Sequence, residues 1–269
     1  QHVGPSGTEL GKETVDELEL THRRGYRRAP CSCGRSVRAA RSSTPLFQVH
    51  PNGNLSLCAL ADLFQEIAWK HADSQGFGRN LLEQQLMWAL SRLEIKVSPF
   101  PRWGDSLRIF TGGRGQAGAF AFREFLVWDQ HEEVVARAMS SWLLVHIEKK
   151  RILKPESVLP SSLFNPQAAP SWQPIKLEAS GPELESKLIQ VQHSDLDLYN
   201  HVNHTSYIRW VENIAADRGL FPTSIAVNYL SECKTGDQVQ LTLLGTEFSP
   251  FIQGKVEGKL VVEAQLKSE

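Results

Sequence analysis

The chain of 269 residues has few cysteines, and none are arranged as a scaffold. The four of them are Cys31, Cys33, Cys58 and Cys233. They are too few and too scattered for a disulfide framework, and the Cys31-Ser-Cys33 pair lacks a second Cys/His pair at zinc-finger spacing. These absences indicate a reducing compartment and exclude a structural zinc site.

The chain also lacks a charge excess and a long apolar run. Its formal net charge of -1 gives no reason to expect nucleic acid as a partner. No apolar run approaches the roughly 20 residues that a membrane-spanning helix requires. A content of 41% hydrophobic and 22% charged residues is instead typical of a globular chain with one large or two small domains.

Residues 1–43 are polar and hold few residues of the kind that form a core. Seven arginines lie between residues 21 and 41, namely Arg23, Arg24, Arg27, Arg28, Arg35, Arg38 and Arg41. We expect this segment to be a disordered tail. Because its first 20 residues are acidic, it does not resemble a transit peptide. We therefore expect a bacterial cytoplasm rather than a plastid stroma, which stays the alternative.

Ordered structure is predicted from residue 44, with a short strand at residues 46–49 and a turn at residues 51–54. Ser56 can cap a helix whose apolar residues share one face: Leu60, Leu63, Phe64, Ile67 and Ala68. Alternating and β-branched residues between 86 and 147 predict four antiparallel strands. Residues 44–154 thus form a first unit, which the proline-rich residues 155–180 connect to the rest as a semi-extended linker.

The same plan returns in residues 181–269, with a strand, a turn, a helix at about 202–218 and further strands. Gly53-Asn54-Leu55 aligns with Asn200-His201-Val202, and the same offset places His50 on Asp197. We interpret the chain as two copies of one unit. In each copy, a broadly apolar helix has to be covered by its antiparallel sheet.

The second copy contains the most distinctive segment, in which titratable and amide side chains precede an apolar-faced helix. Asp197, Asn200 and His201 are close enough in sequence to converge beside the helix N-terminus, whose N–H groups can stabilise an oxyanion. The alternative is a structural turn in which Asp197 or Asn203 caps the helix. The residues of this segment alone leave both interpretations open.

Strand-turn-helix-sheet units of this size resemble hotdog folds, and Asp-Leu-Tyr-Asn-His-Val-Asn-His at residues 197–204 resembles the acyl-acyl carrier protein (acyl-ACP) thioesterases of plants and bacteria. Family-like segments also lie at residues 52–56, 88–92, 101–105 and 141–142, so the resemblance runs from about residue 44 to the C-terminus. It implies an α+β tandem (double) hotdog with two antiparallel sheets, each wrapped around a long central helix. It implies neither a metal nor another cofactor.

The family pattern of an Asp-x-Asn-x-His run plus a Glu before a Cys implies that Asp197, His201 and Glu232 are catalytic. One departure is that Tyr199 stands where the family has its Asn, while Asn200 follows one position later. Either side chain can take the carbonyl-binding or orienting role.

The first unit has no such set, because His50, Asn54 and Phe100 stand at the positions of the three catalytic residues. We expect one active site per chain.

The preferred mechanism has Glu232 and His201 activating water, Asp197 orienting its neighbours, and the backbone N–H groups of residues 200–202 polarising the carbonyl. One rival makes Asp197 or Glu232 a covalent nucleophile. Another makes Cys233 the nucleophile with His201 as its base.

An acyl chain requires an apolar pocket, which we place in the first unit. The predicted lining is Leu57, Leu60, Phe64, Ile67, Met87 and Trp88. The carrier protein is acidic and bears a phosphopantetheine arm, so exposed basic residues are candidate contacts. These are Arg92, Arg102, Arg108, Arg209 and Lys234.

The resemblance implies hydrolysis of fatty acyl-ACP to a free fatty acid and holo-ACP, which terminates fatty acid synthesis. The alternatives are an acyl-CoA thioesterase of the hotdog superfamily and a non-catalytic acyl-binding protein. The fused duplication and the Glu232-Cys233 pair favour the carrier-protein enzymes. Because a duplicated unit can pair within one chain, a monomer and a homodimer are both compatible with the sequence.

Overall fold

The computed structural model describes residues 38–160, 170–246 and 249–268. The predictions for residues 1–37, including Cys31 and Cys33, and for residues 161–169 of the linker lie outside this part of the chain. Of the helices that are described, none combines the length and the apolar character needed to cross a membrane.

The fold is one antiparallel sheet of 11 strands packed against two long helices. The strands are β1 Arg38–Ser43, β2 Leu86–Val97, β3 Ser106–Ala117, β4 Phe120–Trp128, β5 Val134–His146, β6 Arg151–Leu153, β7 Glu183–Gln190, β8 Ser224–Tyr229, β9 Gln238–Thr246, β10 Ser249–Val256 and β11 Lys259–Lys267. The helices are α1 Leu57–Ser74, α2 Arg79–Glu83 and α3 His204–Ala216. The predicted α+β class, the first unit's four strands and the two long helices are confirmed.

The sheet is continuous across the two units. Its strand order is β1-β3-β4-β5-β2-β8-β11-β10-β9-β7, with β6 paired to β5. Strands β2 and β8 join the halves in antiparallel register, with Ile95 opposite Ile225. The two predicted sheets therefore meet edge to edge, which satisfies backbone groups that each half would otherwise expose.

Backbone hydrogen bonds confirm the predicted duplication. In the first unit Val49 bridges Leu55, and the His50 N–H donates to the Asn54 carbonyl over 2.8 Å. In the second unit Leu196 bridges Val202, and the Asp197 N–H donates to the His201 carbonyl over 2.8 Å. The same offset relates every member of these pairs, so both copies fold the turn before their helix in one way.

Two local predictions near the N-terminus are wrong. Residues 46–49 do not form a strand, because Leu46–Gln48 is a 3-10 helix that follows Pro45. The first strand is instead β1, which begins at Arg38 inside the predicted tail and pairs with β3. An edge strand can form through backbone pairing alone, so its arginine-rich sequence gave no strand pattern.

The described part of the linker is packed rather than a free connector. Residues 170–182 contain no helix or strand, yet Leu177 is only 3% exposed. Arg92 on β2 donates from Nη1 to the Pro174 carbonyl over 3.0 Å. The linker thus lies against the sheet that it connects.

A buried carboxylate on α3 joins the two units. Glu212 accepts from the Leu57 N–H over 2.7 Å and from the Cys58 N–H over 2.8 Å, at the N-terminus of α1. Its Oε1 also lies 3.2 Å from His50 Nε2. Because the first N–H groups of a helix carry partial positive charge, this carboxylate is a favourable cap from the other unit.

We expect Glu212→Ala to lower the free energy of unfolding by about 3 kcal/mol, because two buried N–H groups and His50 lose their acceptor. Glu212→Gln keeps one acceptor oxygen and should cost about 1 kcal/mol. The control Glu66→Ala removes a 60% exposed carboxylate paired with Lys70 and should cost less than about 0.5 kcal/mol. Urea unfolding measures all three, and equal losses for Glu212→Ala and Glu66→Ala would contradict the cap.

The same contact predicts a pH dependence. The hydrogen bond to Glu212 raises the pKa of His50, against the opposing effect of burial. A His pKa that is raised in the folded state stabilises the fold. This stabilisation is complete below the unfolded pKa of about 6.5, and it is lost as the pH rises through the folded pKa. The stability difference between wild type and His50→Gln should therefore shrink from pH 6 to pH 9 in urea titrations. A difference that grows with pH would refute this assignment.

Candidate active site

The turn before α3 is held by Asp197. One carboxylate oxygen, Oδ1, accepts from the Tyr199 N–H over 2.8 Å and from the His201 N–H over 3.2 Å. Asn203 then caps the helix by accepting from the Thr205 N–H over 3.1 Å. Of the two caps foreseen, Asn203 caps the helix, whereas Asp197 holds the turn that precedes it.

His201 faces Glu232, which follows the end of β8. His201 Nε2 lies 3.4 Å from Glu232 Oε2, although the two residues are far apart in sequence. The Glu232 side chain is 48% exposed and that of His201 is 19% exposed, so water can reach the carboxylate. Lys150 Nζ, from the turn between β5 and β6, lies 3.3 Å from the same oxygen. Two predicted catalytic groups are thus adjacent, and Lys150 is a neighbour that the sequence did not suggest.

The predicted carbonyl donors have other partners. The Asn200 N–H donates to the Asp197 carbonyl, and the Val202 N–H donates to the Cys233 carbonyl. The His201 N–H donates to the Asp197 carboxylate. None of the three is directed to a substrate, so the prediction that residues 200–202 polarise the carbonyl has to be corrected.

The first turn of α3 offers a different donor. The Asn203 N–H donates to the Asp195 carbonyl. The Thr205 N–H donates to the Asn203 side chain, and the Ser206 N–H donates to the Asn203 carbonyl. Across the described ranges, no acceptor is found for the His204 N–H at the first helical position. This donor lies at the positive end of the helix dipole, where a developing oxyanion is stabilised.

The two copies differ in what binds the first N–H group of their long helix. The position that matches His204 in the first copy is Leu57, whose N–H is bound by Glu212. The position that matches Glu212 is Gln65, a neutral residue that lines a cleft together with His204. In the first copy a carboxylate accepts from the helix N-terminal N–H groups, and the position that matches this carboxylate is neutral in the second copy. The repeat offset of the sequence pairs Gln65 with Glu212 and so contains this signal.

Tyr199 and Asn200 take different places in the turn. Asn200 is exposed and has a φ of +59°, at the position where the first copy has Gly53 with a φ of +83°. Tyr199 is half-buried, and burial together with the nearby Asp197 charge raises the pKa of its hydroxyl. The geometry favours a backbone role for Asn200 and places Tyr199 next to Asp197.

Cys233 is poorly suited to be a nucleophile. Its side chain is fully buried, and desolvation raises the pKa of its thiol. Since the thiolate is the reactive form, a raised pKa lowers reactivity. This geometry disfavours the cysteine mechanism.

An apolar cleft adjoins the first turn of α3. It lies between α1 and the sheet and is lined by Ala61, Phe64, Gln65, Leu90, Leu93, Phe125, Ser140, Trp142 and His204. Burial lowers the pKa of the His204 side chain to about 4, so this ring is neutral near pH 7. The cleft therefore presents no charge to an apolar ligand, and nearly all of its lining comes from the first unit.

Of the six residues predicted to contact the acyl chain, only Phe64 lines this cleft. Leu57, Leu60 and Ile67 are at most 3% exposed within the main core. Met87 and Trp88 are half-buried on β2, where Trp88 donates from Nε1 to the Phe77 carbonyl. A helical apolar stripe identified the core side of α1, but it could not separate core from cleft.

Metal chemistry has no evident ligand set. Within the described ranges, no group of three or more His, Cys, Asp or Glu side chains is arranged to hold a metal ion.

Two protein-family models match this chain. The model described as the acyl-ACP thioesterase N-terminal domain matches residues 39–159, and the model for the C-terminal domain matches residues 179–267. The chain belongs to the acyl-ACP thioesterase family. The two family domains correspond to the two units that the repeat defines.

Plant members of the family are similar over most of this chain. The oleoyl-acyl carrier protein thioesterase of Coriandrum sativum is 26% identical over 217 residues, which are 72% of this chain and 58% of that protein. The dodecanoyl-[acyl-carrier-protein] hydrolase of Cinnamomum camphora is 28% identical over 244 residues, which are 83% of this chain and 62% of that protein. The chain thus spans about three fifths of the length of these relatives.

Solved structures share the fold. An acyl-ACP thioesterase from Bacteroides thetaiotaomicron has a TM-score of 0.75 at 21% identity, covering 87% of this chain and 98% of that one. The 12:0-ACP thioesterase from Umbellularia californica has a TM-score of 0.73 at 21% identity, covering 86% of this chain and 96% of that one. These likenesses confirm the double hotdog architecture of the family.

The geometry predicts how Asn200 acts in this family member. Asn200→Gly should keep turnover within about threefold of wild type, because glycine adopts a positive φ without strain. Asn200→Val should destabilise the fold by about 1–2 kcal/mol, because a β-branched residue is strained there. Steady-state turnover and urea unfolding test both variants. A hundredfold loss of turnover in a folded Asn200→Gly would instead assign the side-chain amide to catalysis.

Proposed function

We propose that this protein hydrolyses the thioester of fatty acyl-ACP to a free fatty acid and holo-ACP. The observation that carries the proposal is the difference between the copies. Within the part of the chain that the structure describes, the His204 N–H of the second copy has no internal acceptor, and it follows the turn that presents His201 to Glu232. In the first copy Glu212 fills the matching position. One site per chain then has both a base and a carbonyl donor.

In the proposed reaction Glu232 takes a proton from water while the water oxygen bonds to the carbonyl carbon. The carbonyl electron pair moves to oxygen, where the His204 N–H stabilises the negative charge. Collapse of this intermediate breaks the carbon–sulfur bond, and the thiolate takes the proton from Glu232. His201 orients the carboxylate, and Asp197 holds the turn through its two backbone hydrogen bonds. Tyr199 remains a candidate orienting residue on this turn, whereas Asn200 acts through its backbone conformation.

The acyl chain is proposed to occupy the cleft beside α1. Phe64, Leu90 and Phe125 provide apolar surface there, and His204 joins the cleft to the turn that carries His201. A chain in this position would have its carbonyl near the first N–H of α3. Substrate binding would thus use the first unit, and the chemistry would use the second.

Names of the relatives support a carrier-protein substrate over coenzyme A, because the plant proteins are named for acyl carrier protein thioesters. Those names also place them in chloroplasts, whereas the sequence favoured a bacterial cytoplasm. Both are compartments of fatty acid synthesis. We propose that the protein acts in that pathway, and the choice of bacterial cytoplasm stays a prediction.

The decisive test compares wild type with Glu232→Gln, His201→Ala and Asp197→Ala on acyl-ACP and acyl-CoA thioesters of the same chain. Each substitution should lower kcat by about a hundredfold or more, because a base or its support is lost. Free thiol release measures turnover, and circular dichroism confirms folding. Wild type should prefer the carrier-protein substrate.

Cys233→Ala is the matched control, since it changes the residue next to Glu232 without touching the proposed base. It should retain most of the activity. Full turnover in folded Glu232→Gln would refute the assigned base. Equal or greater turnover of acyl-CoA would indicate a coenzyme A thioesterase, and binding without turnover of either substrate would indicate an acyl-binding protein.

A further inference from the structure

A group of exposed cations borders the proposed active site. We define the basic rim as Lys149, Lys150, Arg151, Lys154 and Lys234. The first four lie on or next to the hairpin of β5 and β6, and Lys234 follows Glu232 and Cys233. Glu148 is the acidic residue within this hairpin turn. In a chain with a net charge of -1, this rim is a local concentration of positive charge.

Sheet pairing places the rim at the catalytic end. Strand β2 pairs with β8 only from Arg92 onward, so its first residues extend past the end of β8. Leu86 in that extension pairs with His146, the last residue of β5. The hairpin that follows His146 therefore lies beside Glu232, as the 3.3 Å contact of Lys150 shows.

Most of this charge is not neutralised within the structure. Among the described residues, Lys150 is the one rim residue with a carboxylate partner within ion-pair distance. Three exposed apolar side chains belong to the same segments or to the turn before α3: Ile152 on β6, Leu198 next to Asp197 and Leu230 two residues before Glu232. A surface of cations and apolar side chains is complementary to an acidic protein that also presents apolar contacts.

The basic contacts predicted from sequence fit this role less well. Arg92 is engaged with the linker, Arg108 with Glu132 and Arg209 with Asp195. Arg102 follows the opposite end of β2 and pairs with Asn54 in the turn of the first copy, whose helix N-terminus is occupied by Glu212. Of the five, Lys234 alone belongs to the rim. The hairpin was missed because it is remote in sequence from Glu232.

We propose that the basic rim is the docking surface for the acidic acyl carrier protein, and that Lys150 leaves Glu232 to bind the phosphate of the prosthetic arm. The inference rests on the proposed function and adds the location of the partner. Lys150 and Glu232 are 62% and 48% exposed, so solvent screens their ion pair. The phosphodiester of the arm carries one negative charge, as a carboxylate does, and its two free oxygens can accept from the Lys150 ammonium in place of Glu232. Docking would then free the catalytic base as substrate arrives.

The first test reverses charge on the hairpin with Lys149→Glu/Arg151→Glu. The control Arg102→Glu/Lys267→Glu reverses two exposed cations at the other end of the sheet. We compare kcat/KM for acyl-ACP with kcat/KM for the same acyl chain on pantetheine, which lacks protein and phosphate. The ratio of kcat/KM for acyl-ACP to kcat/KM for the acyl-pantetheine should fall at least tenfold in the hairpin variant, mainly through the KM for acyl-ACP. In the control this ratio should fall less than twofold.

Affinity for holo-ACP, measured by fluorescence anisotropy at low salt, separates docking from hydrolysis. The hairpin variant should bind at least tenfold more weakly than wild type and the control. If carrier binding depends on the hairpin but no thioester is hydrolysed, docking stands and the proposed function fails. If acyl-ACP is hydrolysed and the hairpin variant binds as tightly as wild type, hydrolysis stands and the docking surface is refuted.

Lys150→Met tests the phosphate contact with three thioesters of one acyl chain, on ACP, on phosphopantetheine and on pantetheine. The variant should lose at least fivefold in kcat/KM on both phosphorylated substrates relative to pantetheine. Lys150→Arg should restore most of this ratio, because it keeps the cation. Equal losses on all three substrates would show that Lys150 acts only through Glu232 and would overturn its assignment to the phosphate.

Discussion

The pairing of β2 with β8 is the constraint on which the rest of the structure depends. It turns two half-sheets into one and brings α1 and α3 together on a shared core. Glu212 of α3 can therefore reach the N-terminus of α1. Because β2 extends past β8, the same pairing carries the β5–β6 hairpin of the first unit to Glu232 of the second.

The two copies show how one backbone can serve stability in one place and chemistry in another. Both present the first N–H groups of a helix after the same turn. In the first copy a permanent carboxylate satisfies Leu57 and Cys58. In the second copy no acceptor is found for the His204 N–H among the described residues, and this is the donor proposed to stabilise the transient negative charge. A donor that is already bound cannot polarise a substrate, so charge placement separates the blocked copy from the proposed active one.

Local patterns explain what the sequence predicted well. Ser56 accepts from the Ala59 N–H at the predicted helix start, and the first unit's four strands follow from alternating residues. The sequence-based predictions were wrong for segments whose structure depends on long-range pairing rather than on a local pattern. Strand β1 forms on the edge of β3 despite its arginines, and the linker packs through Leu177. Neither contact has a periodic signal in the chain.

The sequence by itself determined the repeat, the turn before each long helix and the identities of Asp197, His201 and Glu232 as candidates. Tertiary structure decided which helix N-terminal N–H group lacks an acceptor among the described residues, which apolar residues line the cleft and which cation lies beside Glu232. The physical reason is that these properties depend on contacts between residues far apart in sequence. Those contacts are set by strand register and helix packing, and short-range patterns do not encode them.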